Sequence, residues 1–310
     1  VYDEEFVPTV IMEKGKPVAP VGGKDAVIFF NFREDGMRQI TKAFTVQAFD
    51  KFERGTLSVP GSHAERGGAF LKEVFFTTMT EYEKDLPVTV AFPPEIIGTC
   101  LAKVISDAKL KQLHVAETEK YAHISFFLNG MQEDEFSGEM REIIPSPKVG
   151  SYDKKPEMSA KAIADRVVKE TLADKYDFIA LNLANPDMIG HTGDLKATIE
   201  GLEAADQEMG KIVDAALSKK GVVIITADHG NAEELVNLQT GKMDKEHSTN
   251  PVPCIIIGAD FEGQAGGQIE AVGGDLSLMS PVGTLSDIAP TVLKLLGLKK
   301  PKEMTGVPLV

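Results

Sequence analysis

Cysteine is scarce in this 310-residue chain: Cys100 and Cys254 are too few and too widely separated for a disulfide framework or a zinc ribbon, so the cytoplasm is the expected compartment. Positive charge is short as well. Lys and Arg total 33 against 47 Asp and Glu, and the resulting net charge of −14 argues against nucleic acid or an anionic membrane as a partner. An anionic ligand would therefore need a locally basic pocket. No apolar run approaches the roughly 20 residues of a membrane span, and the opening VYDEEFVPTV has neither the basic nor the apolar part of a signal peptide. The chain starts on Val rather than Met, and it is read as a soluble piece of something longer. Internal repeats and low-complexity tracts are lacking too.

What is present is an alternation of strand-like and helix-like patterns. Residues 1–24 read as an irregular lead-in, and residues 25–32 (DAVIFFNF) as a buried strand. Met37, Ile40 and Phe44 then recur on one helix face, with Arg33 at the strand-to-helix turn. Residues 53–71 carry loop signals, with His63 read as loop surface. Strands at 74–79 and 87–92 lead into Pro93-Pro94, a stiff pair that marks the expected boundary between domains 1–92 and 93–310. Beyond it, helix patterns at 96–108, 118–128 and 158–172 alternate with strands at 112–116, 143–144 and 178–183. A long helix follows with Ile199, Leu202, Met209 and Val213 inward, then strands at 222–226 and 253–257. The last helix, 287–296, takes Ser286 as its cap and Gly297 as its stop. This order predicts an α/β fold, a mostly parallel sheet with helices on both faces.

Three short patterns flank these strands: NPDMIGHTG, TADHG and EHSTNPVP. Asp187 and His191 are four apart, so a helical turn aims both at one point. Asp228 and His229 offer a carboxylate oxygen and an imidazole nitrogen at the end of a strand, where open α/β sheets hold ligands, and Gly230 lets the chain turn away. His247 adds a further imidazole. Taken singly, each has an ordinary reading as a capping turn or a hydrogen-bonded histidine. The five together exceed one metal site and fall short of two, and mixed carboxylate and imidazole ligation suits manganese or zinc better than magnesium or calcium. Two such ions would hold a phosphoryl group between them. In AETEKYAH, Lys120 lies one turn into a helix that follows a strand, a place for an anion, although an exposed helix lysine has the same local pattern. His114 reads as strand-flanking and His123 as a polar neighbour of this segment.

AETEKYAHISFFLNG, EIIPSPKVGSYDKKPEMSA, LNLANPDMIGHTG, ITADHGNAEE and KEHSTNPVP, in this order, resemble the cofactor-independent phosphoglycerate mutases of the alkaline-phosphatase superfamily. The resemblance covers nearly all of residues 25–310. It implies a glycolytic isomerase that interconverts 3- and 2-phosphoglycerate, phosphorylated three-carbon acids, through a phosphoserine intermediate. Two divalent metal ions are implied, manganese by preference with zinc or cobalt as alternatives. Asp187, His191 and His247 resemble the ligands of one ion, and Asp228 and His229 part of the second site. Lys120 resembles the catalytic lysine that contacts the phosphoryl group, and Arg33, in NFREDG, a substrate-binding arginine. Domain 1–92 would then be the carboxyl-terminal part of a smaller α/β phosphotransferase domain, and 93–310 most of an alkaline-phosphatase-like metal domain.

The departures are informative. Gly36 stands where the family has a second arginine, and Ser125, Ser146 and Ser248 lie in the wrong motifs to be the nucleophile. The chain is therefore expected to be the carboxyl-terminal part of such an enzyme, inactive alone, with an amino-terminal segment as its partner. A related phosphatase or phosphopentomutase, or a non-catalytic metal-binding fragment, are the alternatives.

Overall fold

The computed structural model describes residues 9–52, 74–95, 97–237, 240–264 and 281–310. The chain divides into two compact units, Val1–Glu95 and Ile96–Val310. Residues 53–71, with His63, fall outside the described residues.

In the first unit the lead-in is more regular than its sequence suggests. Strands β1 (Met12–Glu13) and β2 (Lys16–Pro17) pair as an antiparallel hairpin. Its turn residues Lys14 and Gly15 have φ of 49° and 76°, the left-handed pair that matches the twist of a tight hairpin. Then β3 (Ala26–Phe29), α1 (Asp35–Thr45), β4 (Phe75–Thr80) and β5 (Thr89–Phe92) build a parallel sheet in the order β3-β4-β5. Phe44 of α1 packs on Phe29 and Phe76, with ring centroids 5.9 and 5.8 Å apart. The opposite face is uncovered: Ile28 is 69% and Phe75 62% exposed, so these strands are buried on one face only, contrary to the expectation for residues 25–32. On α1 the inward stripe runs through Thr41, which is fully buried, whereas Ile40 stands 46% exposed.

The second unit is organised on one strand. Its elements are α2 (Leu101–Asp107), β6 (Gln112–Glu117), β7 (Glu139–Ile144), α3 (Ala160–Leu172), β8 (Phe178–Leu181), α4 (Asn185–Gly190), α5 (Leu195–Ser218), β9 (Val223–Thr226), β10 (Cys254–Ile257) and α6 (Ile288–Leu295). The parallel order β7-β6-β8 puts β6 at the centre, and all six of its residues are buried. Alternate side chains serve opposite faces. Leu113 and Val115 pack with Ile163, Ala164 and Val167 of α3 and Ile212 of α5. From the other face Gln112 Nε2 donates to the Ala102 carbonyl of α2 at 2.8 Å, and α2 packs on α6 through Leu101, Ile105, Val292 and Leu293. His114 is thus fully buried in the central strand, not flanking it, and its Nε2 meets Gln112 Oε1 at 3.1 Å. Strands β9 and β10 form a separate antiparallel pair, Cys254 opposite Thr226.

Other local expectations shift for identifiable reasons. The helix expected over 96–108 begins only at Leu101, because Ile97 N–H is committed to the Gly130 carbonyl. The helix expected over 118–128 is a 3₁₀ turn, Thr118–Lys120, followed by a π-helical turn, His123–Phe127. The cap before α6 is Thr284, not Ser286: Thr284 and Asp287 form a reciprocal capping box on a 3₁₀ turn. Gly297 does stop the helix, with φ at 69° and the Leu298 N–H returning to the Leu293 carbonyl.

On α5 the buried stripe is Ala197, Gly201, Ala205, Glu208, Ile212 and Ala215, while Ile199 and Leu202 are 47% and 40% exposed. Small residues let the helices approach closely: a Cβ on Gly201 would lie 2.3 Å from Ile189 Cδ1. Close approach thereby outranks the size of the apolar side chain in choosing the inward face. Ile212→Ala should accordingly cost about 2–5 kcal/mol in urea unfolding, whereas Ile199→Ala should stay within about 0.5 kcal/mol; equal losses would restore the inward role of Ile199.

Candidate metal centre

The carboxyl ends of β6 and β8 and the segments flanking β9 and β10 supply the polar residues of the second unit. Asp187 lies in the first turn of α4, which Pro186 starts and His191 ends. Its carboxylate is 15% exposed and accepts from four sides. Lys120 Nζ forms an ion pair with Oδ2, and Asn231 Nδ2 donates to Oδ1 at 2.9 Å. His191 Nε2 and His247 Nε2 each lie 3.2 Å from the same Oδ1, and 3.1 Å from each other. Burial alone would raise the Asp187 carboxyl, but bonds from His191, Lys120 and Asn231 hold it well below the ordinary carboxylate range.

The donor set fits a divalent cation. His191 Nδ1 lies 2.7 Å from the Lys245 carbonyl, which can only accept, so Nδ1 carries a proton and the neutral ring turns a lone pair on Nε2 toward Asp187. Three ligand atoms that share a cation at bonds of ~2.0–2.2 Å lie about 3–3.5 Å apart, and separations of 3.1–3.2 Å are what Asp187, His191 and His247 show. Among the described residues these three form the one group of at least three metal-ligating side chains with converging atoms. Without a cation, a proton is the substitute: the bond to Asp187 raises the His191 imidazole above its ordinary value, whereas burial and the neighbouring His229 lower His247.

The remaining pair is adjacent but less enclosed. His229 stacks on His247, ring centroids 3.6 Å apart and planes at 16°, and its Nδ1 lies 3.2 Å from the Gly230 carbonyl. Asp228 Oδ2 is 3.6 Å from His229 Nε2, with its side chain 55% exposed. Gly230 matters for space: it lacks a left-handed φ, but a Cβ there would sit 2.2 Å from both Glu233 Oε1 and Ser248 Oγ. Arg33 belongs to the other compact unit, in the exposed segment between β3 and α1, where its N–H donates to Asn31 Oδ1 at 2.9 Å.

Several contributors lie within the quoted motifs but received no role from the sequence. Asn231 is 4% exposed and donates to the same Asp187 Oδ1 that the two histidines approach. Glu233 accepts from Asn231 N–H at 2.8 Å, from Asn250 Nδ2 at 3.1 Å and from the Ser248 hydroxyl, tying the two loops that carry His229 and His247. A second brace holds the turn that carries Lys120. Tyr152 OH donates to Glu119 Oε1 at 2.6 Å, and Ser146 N–H donates to Thr118 Oγ1 at 3.2 Å. Burial and Glu119 push the Tyr152 phenol up to about 12, so it remains a donor. Lys120 is itself only 7% exposed, which rules out the solvated helix lysine.

A parallel α/β unit with a carboxylate and two imidazoles converging at strand ends is the architecture of a metalloenzyme, and residues 38–300 match the Metalloenzyme superfamily, to which the chain therefore belongs. Within that class its relatives are specific. It is 47% identical over 310 residues to the 2,3-bisphosphoglycerate-independent phosphoglycerate mutase of Acetivibrio thermocellus, covering 100% of this chain and 55% of that protein. It is 44% identical over 319 residues to the enzyme of the same name from Chloroflexus aggregans, covering 100% of this chain and 57% of that one. The fold is similar to a crystal structure of Leishmania mexicana phosphoglycerate mutase at low cobalt concentration, with a TM-score of 0.71, 28% identity, and 96% of this chain against 52% of that chain. The chain thus spans a little over half the length of these relatives.

Two outcomes follow for metal binding measured by calorimetry. Asn231→Ala, which removes a group that orients Asp187, should weaken Mn²⁺ by about 10- to 100-fold. Affinity should also fall as pH is lowered, and the fall should begin above the ordinary imidazole value of 6.5, since a ligand must shed its proton and Asp187 raises that of His191. An affinity flat between pH 8 and 6 would remove His191 from the ligand set.

Proposed function

We propose that this chain is the carboxyl-terminal part of a cofactor-independent phosphoglycerate mutase, a cytoplasmic glycolytic isomerase acting on 3- and 2-phosphoglycerate through a phosphoserine intermediate. The observation that carries the reading is the convergence of Asp187, His191 and His247 beside the buried ammonium of Lys120. Asp187, His191 and His247 would hold one divalent ion, and Asp228 and His229 would contribute to a second, with manganese preferred and zinc or cobalt as alternatives. Such ions neutralise and orient a phosphoryl group.

The chain's own residues supply the rest. Lys120 presents a point charge to the phosphoryl oxygens, a task of positioning and electrostatics more than covalent chemistry. The Tyr152–Glu119 and Ser146–Thr118 bonds keep its turn in place. Arg33 would bind the substrate carboxylate or phosphate from the unit that resembles a transferase domain. With Gly36 beside it, the second arginine of that segment is missing, and substrate binding there rests on fewer cations.

No serine of the chain lies in the nucleophile's motif, so the 310 residues alone should not turn over 3-phosphoglycerate in the presence of Mn²⁺. An enzyme-coupled assay for 2-phosphoglycerate checks this, and sustained turnover by the verified chain would overturn it. A second reading, a non-catalytic metal-binding fragment, is favoured by the 55% exposure of Asp228 and the lack of a third ligand at its pair among the described residues. Assaying this chain joined to the remaining part of one of its mutase relatives separates the two. Interconversion of the phosphoglycerates supports the mutase, activity on other phosphate esters alone points to a related phosphatase or phosphopentomutase, and binding of Mn²⁺ without turnover leaves the fragment.

A further inference from the structure

His123 follows Lys120 by three residues, the spacing that puts two side chains on one helical face. It opens the π-helical turn His123–Phe127, a widened geometry that recurs at functional sites. Phe127, one turn on, holds the imidazole edge-on, with ring centroids 5.5 Å apart and planes at 65°. The charged groups that act on the ring belong to the site already described: Lys120, Asp228, Asp187 and His229. Burial and Lys120 favour its neutral form.

The two ring nitrogens are in different surroundings. Nδ1 is sealed from solvent and, among the described residues, meets no hydrogen-bond partner; Nε2 is not sealed. A neutral imidazole carries one proton, and its position follows from the accounting of buried groups. A proton on Nδ1 would leave an orphaned buried N–H, which is rarer in folded proteins than an orphaned acceptor. The proton therefore sits on Nε2, the ring nitrogen that is not sealed, where it makes an available donor three residues from Lys120. We propose that His123 is a further substrate-contacting residue of this site, a neutral imidazole whose Nε2–H donates a hydrogen bond to an oxygen of the phosphoryl anion beside Lys120. The proposal rests on the phosphoryl-transfer reading and adds a division of labour. Lys120 supplies charge without direction, and His123 supplies direction without charge.

The test uses the 310-residue chain loaded with Zn²⁺, titrated with inorganic phosphate, as wild type, His123→Gln and His123→Asn. A Gln amide nitrogen reaches roughly where Nε2 lies, whereas an Asn amide reaches only to Nδ1. Loss of a hydrogen bond to a charged partner predicts phosphate binding about tenfold weaker in His123→Asn, and within about threefold of wild type in His123→Gln. Zn²⁺ stoichiometry should be the same in all three, and ¹⁵N chemical shifts of the wild type should report the Nε2–H tautomer. An Nδ1–H tautomer, phosphate affinity in His123→Asn equal to wild type, or loss of bound Zn²⁺ in that variant would each overturn the assignment. Phosphate that fails to bind the Zn²⁺-loaded wild type overturns the phosphoryl-transfer reading itself.

Discussion

The second unit depends on one nearly buried negative charge. Removing a carboxylate from water is costly unless opposite charge and hydrogen bonds replace the lost solvent. Asp187 is compensated from four separate segments: Lys120 after β6, His191 at the end of α4, Asn231 after β9, and His247 before β10. Lys120 and His191 come from connections that follow strands of the parallel sheet, and Asn231 and His247 from the connection between the antiparallel β9 and β10, so the placement of both sheets and the satisfaction of this charge are one problem. Truncating any partner would leave a buried charge less well paired, which is why these connections are held by further bonds of their own.

Those further bonds explain why one part of the cluster is enclosed and another is open. Glu233 links the loop after β9 to the loop before β10 through Asn231, Ser248 and Asn250, and Gly230 leaves just enough space for that link. His229 and His247 are thereby stacked and fixed. Asp228 lies beyond the brace, its side chain 55% exposed, with His229 as its nearest ionisable partner. The three-residue cluster is preorganised by the chain itself, whereas the Asp228–His229 pair is the more open part.

The fold class and the Asp187–His191 pair were legible in the sequence because both are written in local spacing, whereas His247 was grouped with them at one ion only through the family resemblance. Strand-length apolar runs alternate with helix stripes, and Asp187 and His191 stand four apart on a turn started by proline. What could not be read was set by contacts across long separations. Asn231 reaches Asp187 over 44 positions and Tyr152 reaches Glu119 over 33. His114 looked peripheral because nothing local reports that β6 is the central strand. The face of α5 was misassigned for a related reason: apolar size was read as burial, but Ala and Gly were chosen for close helix contact. His123 stands inside the AETEKYAH motif, but its interest lies in which of its nitrogens is dry, and that is not written in the motif.

Charge also sets an order of events for any phosphate ligand. The chain carries a net charge of −14, and around the cluster the carboxylates of Asp187, Asp228 and Glu233 stand against the ammonium of Lys120, which is itself engaged by Asp187. With neutral imidazoles the local sum is negative, so a phosphoryl anion is repelled from the bare site. Asp187, His191 and His247 would hold a divalent cation there, which would offset that negative charge and share the Asp187 carboxylate with Lys120. Anion recognition is then conditional on prior cation binding. The same negative surroundings would keep a phosphate from the bare site until a cation is bound.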